Sequence, residues 1–137
     1  MERSFELEDL LRRFYDAYTN VEIETLNSMI SRDPDVLAIG TDPDEWWVGH
    51  DSITTIVASQ AKETAGTRWE AGDPHGFAVG DIGWVSDRPR WVFADGRVIP
   101  FRLTAVCHLE GGAWRIVQSH FSIGVPNEDA VGRALTT

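Results

Sequence analysis

The stretch FRLTAVCHLEGGAWRIVQSHFS, residues 101–122, decides the fold, because it reads as two long β-strands joined by a tight turn. Gly111 and Gly112 form a two-residue loop that favours a hairpin, since glycine adopts positive φ without strain. Before the loop, small and apolar residues alternate with polar ones, which is typical of a strand with one buried face. The stretch therefore predicts an antiparallel hairpin over residues 98–110 and 113–123.

An uninterrupted pairing across this loop determines which side chains share the inner face of the hairpin. That face comprises Phe101, Leu103, Ala105, Cys107, Leu109, Trp114, Ile116, Gln118, His120 and Ser122. A shift of one residue would bury Arg102 and Arg115 instead, which the hydrophobic pattern opposes. Gln118 and His120 then either bond to each other and to the backbone, or face a solvated cavity. Because Ser122 shares their face, the pattern favours the polar end of a pocket.

The rest of the chain places helices before a run of shorter strands. Helical spacing of apolar residues predicts three amphipathic helices, over residues 5–19, 21–31 and 52–65. Alternation and turn residues predict further strands, over residues 36–40, 67–79, 81–87 and 90–94. Asp51 is the expected N-cap of the third helix, and the tail over 126–137 is expected to be a short helix or a mobile segment. This order predicts one α+β domain over 1–137, with a bent antiparallel sheet and helices against one side.

Composition and charge exclude several classes of partner. The formal net charge is −10, and no run of Lys or Arg offers a site for phosphates, so neither nucleic acid nor an anionic membrane is an expected partner. The charged, helical N-terminus and the absence of a long apolar run make a cytoplasmic location the expectation. The single cysteine, Cys107, alternates with leucines and is predicted to be a buried hydrophobe. The four histidines lack metal-ligand spacing, so we expect neither a metal nor a cofactor.

Three motifs together resemble a SnoaL-like (polyketide-cyclase-like) member of the nuclear transport factor 2-like superfamily, to which ketosteroid isomerase also belongs. They are GTDPDEWWVGHDSI (40–53), DIGWVSD (81–87) and FRLTAVCHLEGGAWRIVQSHFSIGVPNE (101–128). The last strand of this family commonly reads Trp-x-Ile-Val-polar-x-His-x-Ser, as residues 114–122 do. The resemblance implies a cone-shaped fold, in which a curved antiparallel sheet and N-terminal helices enclose a pocket. It also implies a homodimer formed through the sheet.

The resemblance also suggests roles for individual residues. Asp42 resembles the general base of isomerase-like and cyclase-like members, although an Asp-Pro-Asp sequence also reads as a solvated turn. Tyr18 would stand near the tyrosine of the isomerase's oxyanion hole. Where that isomerase has a protonated aspartate, this chain has apolar Leu103, so His120 or Gln118 would have to donate to an oxyanion.

Six tryptophans in a chain of 137 residues suggest a pocket for a flat apolar ligand. Trp84 alternates with Ile82 and is expected to face inward. Trp46 and Trp47 are adjacent, so only one of them can face inward, and Trp47 is the candidate beside Tyr18.

Two kinds of function are compatible with this sequence. In the first, the protein is an acid–base isomerase, cyclase or dehydratase of a hydrophobic cyclic substrate, with Asp42 as the base and His120 and Gln118 as polar partners. In the second, it is a non-catalytic ligand-binding, sensory or dimerisation module. The family's many activities on one fold leave both open. In either case the expected ligand is a small apolar or aromatic molecule, and apolar residues on the outer face, such as Val106, predict a homodimer.

Overall fold

The computed structural model describes all 137 residues of the chain. Its helices are α1 (Phe5–Thr19), α2 (Ile23–Ser28), α3 (His50–Glu63) and α4 (Asn127–Val131). Its strands are β1 (Glu2–Arg3), β2 (Leu37–Ile39), β3 (Trp46–Val48), β4 (Arg68–Glu70), β5 (His75–Val79), β6 (Ile82–Asp87), β7 (Arg90–Val92), β8 (Val98–Pro100), β9 (Arg102–Glu110) and β10 (Ala113–Ser122). None of the helices combines the length and hydropathy needed to cross a bilayer.

The predicted helices and most predicted strands are confirmed, with differences at their ends. The N-cap of α3 is Gly49 at φ 93° rather than Asp51, so the helix begins earlier than expected. The stretch 67–79 splits into β4 and β5, and the stretch before the Gly-Gly loop splits into β8 and β9. The tail contains the short helix α4, none of whose residues is buried.

Seven strands form a curved, open sheet in the order β1-β5-β6-β9-β10-β2-β3, and the other three form a small sheet, β4-β7-β8. All neighbouring strands are antiparallel except β2 and β10, which run parallel. The predicted curved antiparallel sheet is confirmed, with this one parallel pairing as the difference. The α+β class is confirmed.

Helix α1 packs on the inner face of the large sheet and supplies six of the fourteen buried residues of the main core. It begins at Ser4, whose side-chain oxygen accepts a hydrogen bond from the N–H of Leu7 at 3.3 Å. Its buried apolar residues pack with inner-face residues of β6, β9 and β10, which include Val85, Leu103, Ala105, Cys107 and Ile116. Each fully buried leucine or phenylalanine of this kind contributes about 1.5–3 kcal/mol through the surface it removes from water.

Two buried carboxylates attach α1 to the sheet. Glu8 is 2% exposed and accepts from Arg3 Nε at 2.9 Å and from a backbone N–H of β5. Asp87, at the end of β6, is 5% exposed and accepts from the Tyr15 hydroxyl at 3.0 Å and from two backbone N–H groups. Because each carboxylate has several donors, its burial does not leave an unpaired charge.

The β9–β10 hairpin follows the predicted register only in its first half. Leu109 faces Trp114 and Cys107 faces Ile116, as expected. A β-bulge then follows, because Val117 has no partner and Gln118 faces Val106. A bulge adds one residue to one strand, so every later side chain of that strand changes sides.

The bulge overturns the expected orientation of the last five side chains of β10, including Ser122, whose hydroxyl accepts from Arg102 Nε at 3.1 Å on the outer face. Gln118 and His120 lie on the outer face and are exposed, whereas Ser119 and Phe121 face inward opposite Ala105 and Leu103. The physical reason is hydrophobic burial. Ile116 and Val117 are adjacent, so a regular strand turns only one of them inward, whereas the bulged strand turns both of them and Phe121 toward the cavity.

Candidate functional site

A cavity of about 340 Å³ lies between α1, α3, the inner face of the large sheet and the small sheet. Hydrophobic residues make up 21 of its 28 lining residues. The others are Gly40, Thr41, Glu45, Gln60, Glu63, Thr64 and Ser119. All of these except Ser119 lie on the β2–β3 loop or at the C-terminal end of α3, so the cavity is apolar inside and polar at one end.

Stacked rings form what we call the aromatic wall, which consists of Trp69, Trp91, Phe101 and Phe121. The indoles of Trp69 and Trp91 stack with ring centroids 5.5 Å apart and an interplanar angle of 7°. Phe101 and Phe121 lie 4.9 Å and 5.8 Å from the Trp69 ring. The Trp91 Nε1–H donates to Thr67 Oγ1 at 2.8 Å, which fixes the orientation of that indole. Such offset and edge-on contacts stabilise a rigid apolar surface.

The polar end of the cavity consists of Tyr18, Glu45, Gln60, Glu63 and Thr64. Glu45 Oε2 accepts from Gln60 Nε2 at 3.2 Å, and Glu45 Oε1 accepts from the backbone N–H of residue 42 at 3.0 Å. These two bonds tie the β2–β3 loop to α3 and hold the carboxylate in one orientation. Charge-assisted bonds of this type are stronger than those between neutral groups.

Gly40 permits the Glu45 side chain to lie close to the backbone. A Cβ at position 40 would stand 2.5 Å from Glu45 Oε2 and 2.7 Å from Glu45 Cβ, which is too close for any other residue. The end of β2 therefore requires a residue without a side chain, so that the carboxylate can fold across it to meet Gln60.

Tyr18 is a neutral phenol at this end of the cavity. Burial raises its pKa to about 12, although a hydrogen bond with Thr64 acts in the opposite direction, and the negative charges of Glu45 and Glu63 add smaller increases. The hydroxyl therefore keeps its proton over the physiological range and can donate one hydrogen bond to a ligand.

Three of the residues that the sequence singled out do line the cavity: Tyr18, Trp47 and Leu103. The structure also resolves the choice between the adjacent tryptophans. Trp46 is 62% exposed and points away from the cavity, whereas Trp47 is half-buried and lines it.

Trp84, Gln118 and His120 do not line the cavity, contrary to expectation. On β6 the inward positions belong to Gly83 and Val85, so the intervening Trp84 packs on the outer face with its ring 6.3 Å from that of Phe77. Gln118 and His120 are reversed by the bulge described above.

Asp42 also lies outside the cavity, in an exposed turn. Its Oδ1 accepts from the backbone N–H of Asp44 at 3.1 Å, the arrangement in which an aspartate stabilises a local turn. This is the solvated turn that the Asp-Pro-Asp sequence suggested, and it does not place the Asp42 carboxylate in the cavity. The carboxylate that this loop directs to the cavity is Glu45, three residues later.

The sequence contains a signal for part of this polar end, in the stripe of residues along α3. Ile53, Ile56 and Val57 form the apolar stripe of α3, and Gln60 and Thr64 continue that stripe at helical spacing. An apolar stripe that turns polar in the last turns of a helix indicates where the helix leaves the core and reaches a cavity mouth.

No three histidine, cysteine, aspartate or glutamate side chains are grouped so that they could hold a metal ion. Cys107 is fully buried, and burial raises the pKa of its thiol to about 12. It is therefore a core residue, as predicted, and not part of the cavity.

The sequence profile of the SnoaL-like domain family matches residues 7–126. The chain belongs to the SnoaL-like domain family. Among curated proteins, none matches this sequence.

Solved structures of NTF2-like proteins have the same fold as this chain. An NTF2-like protein of unknown function from Pseudomonas putida KT2440 superposes with a TM-score of 0.80 at 20% identity, covering 95% of this chain and 91% of that one. A candidate dehydratase of the NTF2-like family from Streptomyces avermitilis gives 0.75 at 16% identity, with coverage of 88% and 94%. A candidate calcium/calmodulin-dependent protein kinase type II association domain from Thiobacillus denitrificans gives 0.75 at 19%, with coverage of 86% and 94%. At these identities the likeness establishes the fold and not the activity.

Proposed function

We propose that this SnoaL-like domain binds a small, flat, largely apolar molecule in the cavity. The observation that carries the proposal is the cavity itself, about 340 Å³ in volume, with an aromatic wall at one side and its polar groups confined mainly to one end. That volume lies within the range of about 300–1,000 Å³ that is typical of sites for small molecules. The few polar groups would orient the ligand, and the aromatic wall would supply most of the contact area.

A pair of neighbouring variants tests this proposal. Ser119→Phe places a ring inside the cavity, whereas Gln118→Phe places the same ring on the outer face one residue away. We expect calorimetric binding of 2-ethylnaphthalene to the wild type and to Gln118→Phe, and weakening of at least about tenfold in Ser119→Phe. If the wild type binds no apolar probe, or if the two variants bind equally well, the proposal is wrong.

Acid–base chemistry on the bound molecule is the second candidate function. It is favoured by the position of Glu45 and Tyr18 at the same end of the cavity, where a carboxylate could accept a proton and a neutral phenol could donate one. SnoaL-like and NTF2-like proteins include isomerases and dehydratases, which use such chemistry. In this proposal Glu45 takes the role that the sequence suggested for Asp42.

The matched variants Glu45→Gln and Asp42→Asn separate these two carboxylates. With a substrate that the protein turns over, Glu45→Gln should lower kcat by about 10²–10⁴-fold, the usual contribution of a general base. Asp42→Asn should leave kcat within a few-fold of the wild type, because the Asp42 side chain lies outside the cavity. The reverse result would restore Asp42 as the base.

We further propose that two chains pair through the outer face of the large sheet. Phe77, Trp84 and Val106 occupy adjacent cross-strand positions there and form an apolar patch that the rest of the chain leaves partly exposed. Light scattering should give twice the mass of one chain for the wild type, and the mass of one chain for Trp84→Arg. Val131→Arg, on α4, is the control and should remain a dimer. A monomeric wild type would contradict this pairing.

A further inference from the structure

The charged residues that line the cavity are all of one sign. Glu45 and Glu63 are both present, and no lysine, arginine or histidine lines the cavity at any point. The remaining polar side-chain groups are hydroxyls, one amide and the indole N–H groups of three tryptophans, of which that of Trp69 is buried without a hydrogen-bond partner. An anionic ligand would therefore meet like charge at the polar end and find no cation to compensate it, which costs several kcal/mol when the groups are close.

Glu45 is held ready to receive a positive charge. Its two oxygens each accept one hydrogen bond, from Gln60 and from the backbone at residue 42, and each retains a further lone pair. No lysine or arginine forms an ion pair with it, unlike Glu8 and Glu70, each of which pairs with arginine. The carboxylate is half-buried, so its interaction with a cation would be screened less than at a fully exposed site.

The side chains next to Glu45 add hydrogen-bond acceptors, and none of them carries a positive charge that would compete with a cationic ligand. Glu63 lines the same end, and the neutral Tyr18 hydroxyl still has lone pairs with which to accept an N–H. The aromatic wall lines the same cavity and offers an apolar surface for the ring system of a ligand whose charged group lies at the polar end. The whole chain carries a formal net charge of −10, which would raise the encounter rate of a cation with this molecule.

We propose that the ligand is a flat apolar molecule bearing a protonated amine, whose ring system lies against the aromatic wall and whose ammonium group binds Glu45 at the polar end. This inference rests on the proposed binding function and names the chemical class of the ligand. It also makes carboxylate-bearing ligands the poorest fit of any molecules with the same apolar body.

Three probes with one ring system test the charge preference. They are 2-(2-naphthyl)ethylamine, the neutral 2-ethylnaphthalene and 3-(2-naphthyl)propionate, and the measurement is their Kd by calorimetry near neutral pH. We expect the amine to bind about tenfold or more tightly than the neutral hydrocarbon, and the carboxylate to bind most weakly. Raising the salt concentration from about 20 mM to about 500 mM should reduce the difference in Kd between the amine and the hydrocarbon. Salt screens the attraction between the ammonium group and Glu45.

Two variants test whether Glu45 is the source of the preference for the amine over the neutral hydrocarbon. Glu45→Gln keeps the shape of the side chain and an oxygen that can accept from the residue 42 N–H. We expect it to weaken amine binding by about tenfold, while the Kd of 2-ethylnaphthalene changes little. Glu24→Gln removes the same charge from an exposed position of α2 that does not line the cavity, and it should bind all three probes like the wild type.

The outcomes distinguish this inference from the proposed function beneath it. If the amine and the hydrocarbon bind equally, or if the carboxylate binds most tightly, the amine inference is wrong and the binding function stands. The inference is also wrong if the amine keeps its advantage in Glu45→Gln. If none of the three probes binds, the binding function fails, and the amine inference fails with it.

Discussion

Asp87 shows how a single buried carboxylate can hold a helix to a sheet. The Tyr15 hydroxyl donates to it at 3.0 Å, and both side chains are nearly inaccessible to solvent. Burial is also the main reason that the pKa of Tyr15 lies well above its ordinary value, with the negative charge of Asp87 acting in the same direction. The phenol is therefore a permanent donor, and its loss would leave a buried charge with fewer partners.

Tyr15→Phe should lower the free energy of unfolding by about 1–3 kcal/mol, the usual cost of leaving a buried polar group without its partner. Urea denaturation monitored by circular dichroism measures this change in the free energy of unfolding. Tyr18→Phe is the control, because it removes a hydroxyl from the cavity lining rather than from a buried carboxylate, and we expect it to cost less than about 1 kcal/mol. Equal costs for the two variants would argue against the role of Asp87.

His108 lies on the outer face of the large sheet, between the carboxylates of Asp81 and Glu110. Its Nδ1 is 3.3 Å from Glu110 Oε1 and its Nε2 is 3.2 Å from Asp81 Oδ2. The hydrogen bonds to Glu110 and then to Asp81 raise the pKa of His108 above its ordinary value of 6.5. Since the folded protein binds this proton more tightly than the unfolded chain, His108 stabilises the fold fully below about pH 6.5 and less as the pH rises through the folded pKa.

The thermal stability of wild type and His108→Gln should therefore differ most at low pH. We expect the Tm difference to be larger at about pH 5.5 than at about pH 8.5. Differential scanning fluorimetry of both proteins across this range measures it. A difference that is constant with pH, or that grows at high pH, would show that the pairing with Asp81 and Glu110 does not operate in solution.

At the residue scale, the sequence predicted side chains that share a regular apolar face and missed those that depend on tertiary approach. Tyr18 follows the apolar stripe of α1, and Leu103 follows the alternation of β9, so both were placed correctly. Glu45 could not be placed in the same way. Glu45 lies in the β2–β3 loop, where no periodic pattern predicts its orientation. Its position depends on a hydrogen bond from Gln60 of α3 and on the space that Gly40 leaves for its side chain.

At the scale of elements, the β9–β10 hairpin was predicted correctly from the sequence pattern up to Ile116 and incorrectly beyond it. The Gly-Gly loop and the pairing next to it were predicted, because glycines at φ 57° and 82° suit a two-residue turn. The bulge at Val117 was not predicted, since alternation was assumed to continue along the strand. The adjacent apolar pair Ile116-Val117 was the available signal, together with Phe121 in a position that regular alternation assigned to the outer face.

Two alanine variants at adjacent positions of β10 test the bulged register. Phe121→Ala should destabilise the protein by about 2–3 kcal/mol, because the ring is half-buried in the aromatic wall. His120→Ala should change the free energy of unfolding by less than about 0.5 kcal/mol, as is usual for an exposed site. Denaturant unfolding of both variants decides between the registers. A larger cost at His120 would favour the regular strand without a bulge.

Across the whole molecule, the sheet divides the chain into two surfaces with different chemistry. The inner surface, closed off by α1, α3 and the small sheet, contains the aromatic wall and the acidic polar end. The outer surface presents Trp84 and Phe77 together with exposed polar side chains such as Gln118 and His120. The α+β class followed from the order of elements along the chain. That order does not determine which side chains lie on each surface. The outcome depends on the bulge and on which alternate positions of each strand face inward.

The six tryptophans make this division measurable in a single experiment. Trp47, Trp69 and Trp91 line the cavity, whereas Trp46, Trp84 and Trp114 do not. Fluorine NMR of the protein labelled with 5-fluorotryptophan gives one resonance per indole, each assigned by a tryptophan-to-phenylalanine variant. We predict that 2-ethylnaphthalene shifts the resonances of Trp47, Trp69 and Trp91 and leaves those of Trp46 and Trp84 in place. Shifts confined to Trp46 and Trp84, or no shift at the highest soluble concentration of the probe, would contradict the proposal that the cavity is the binding site.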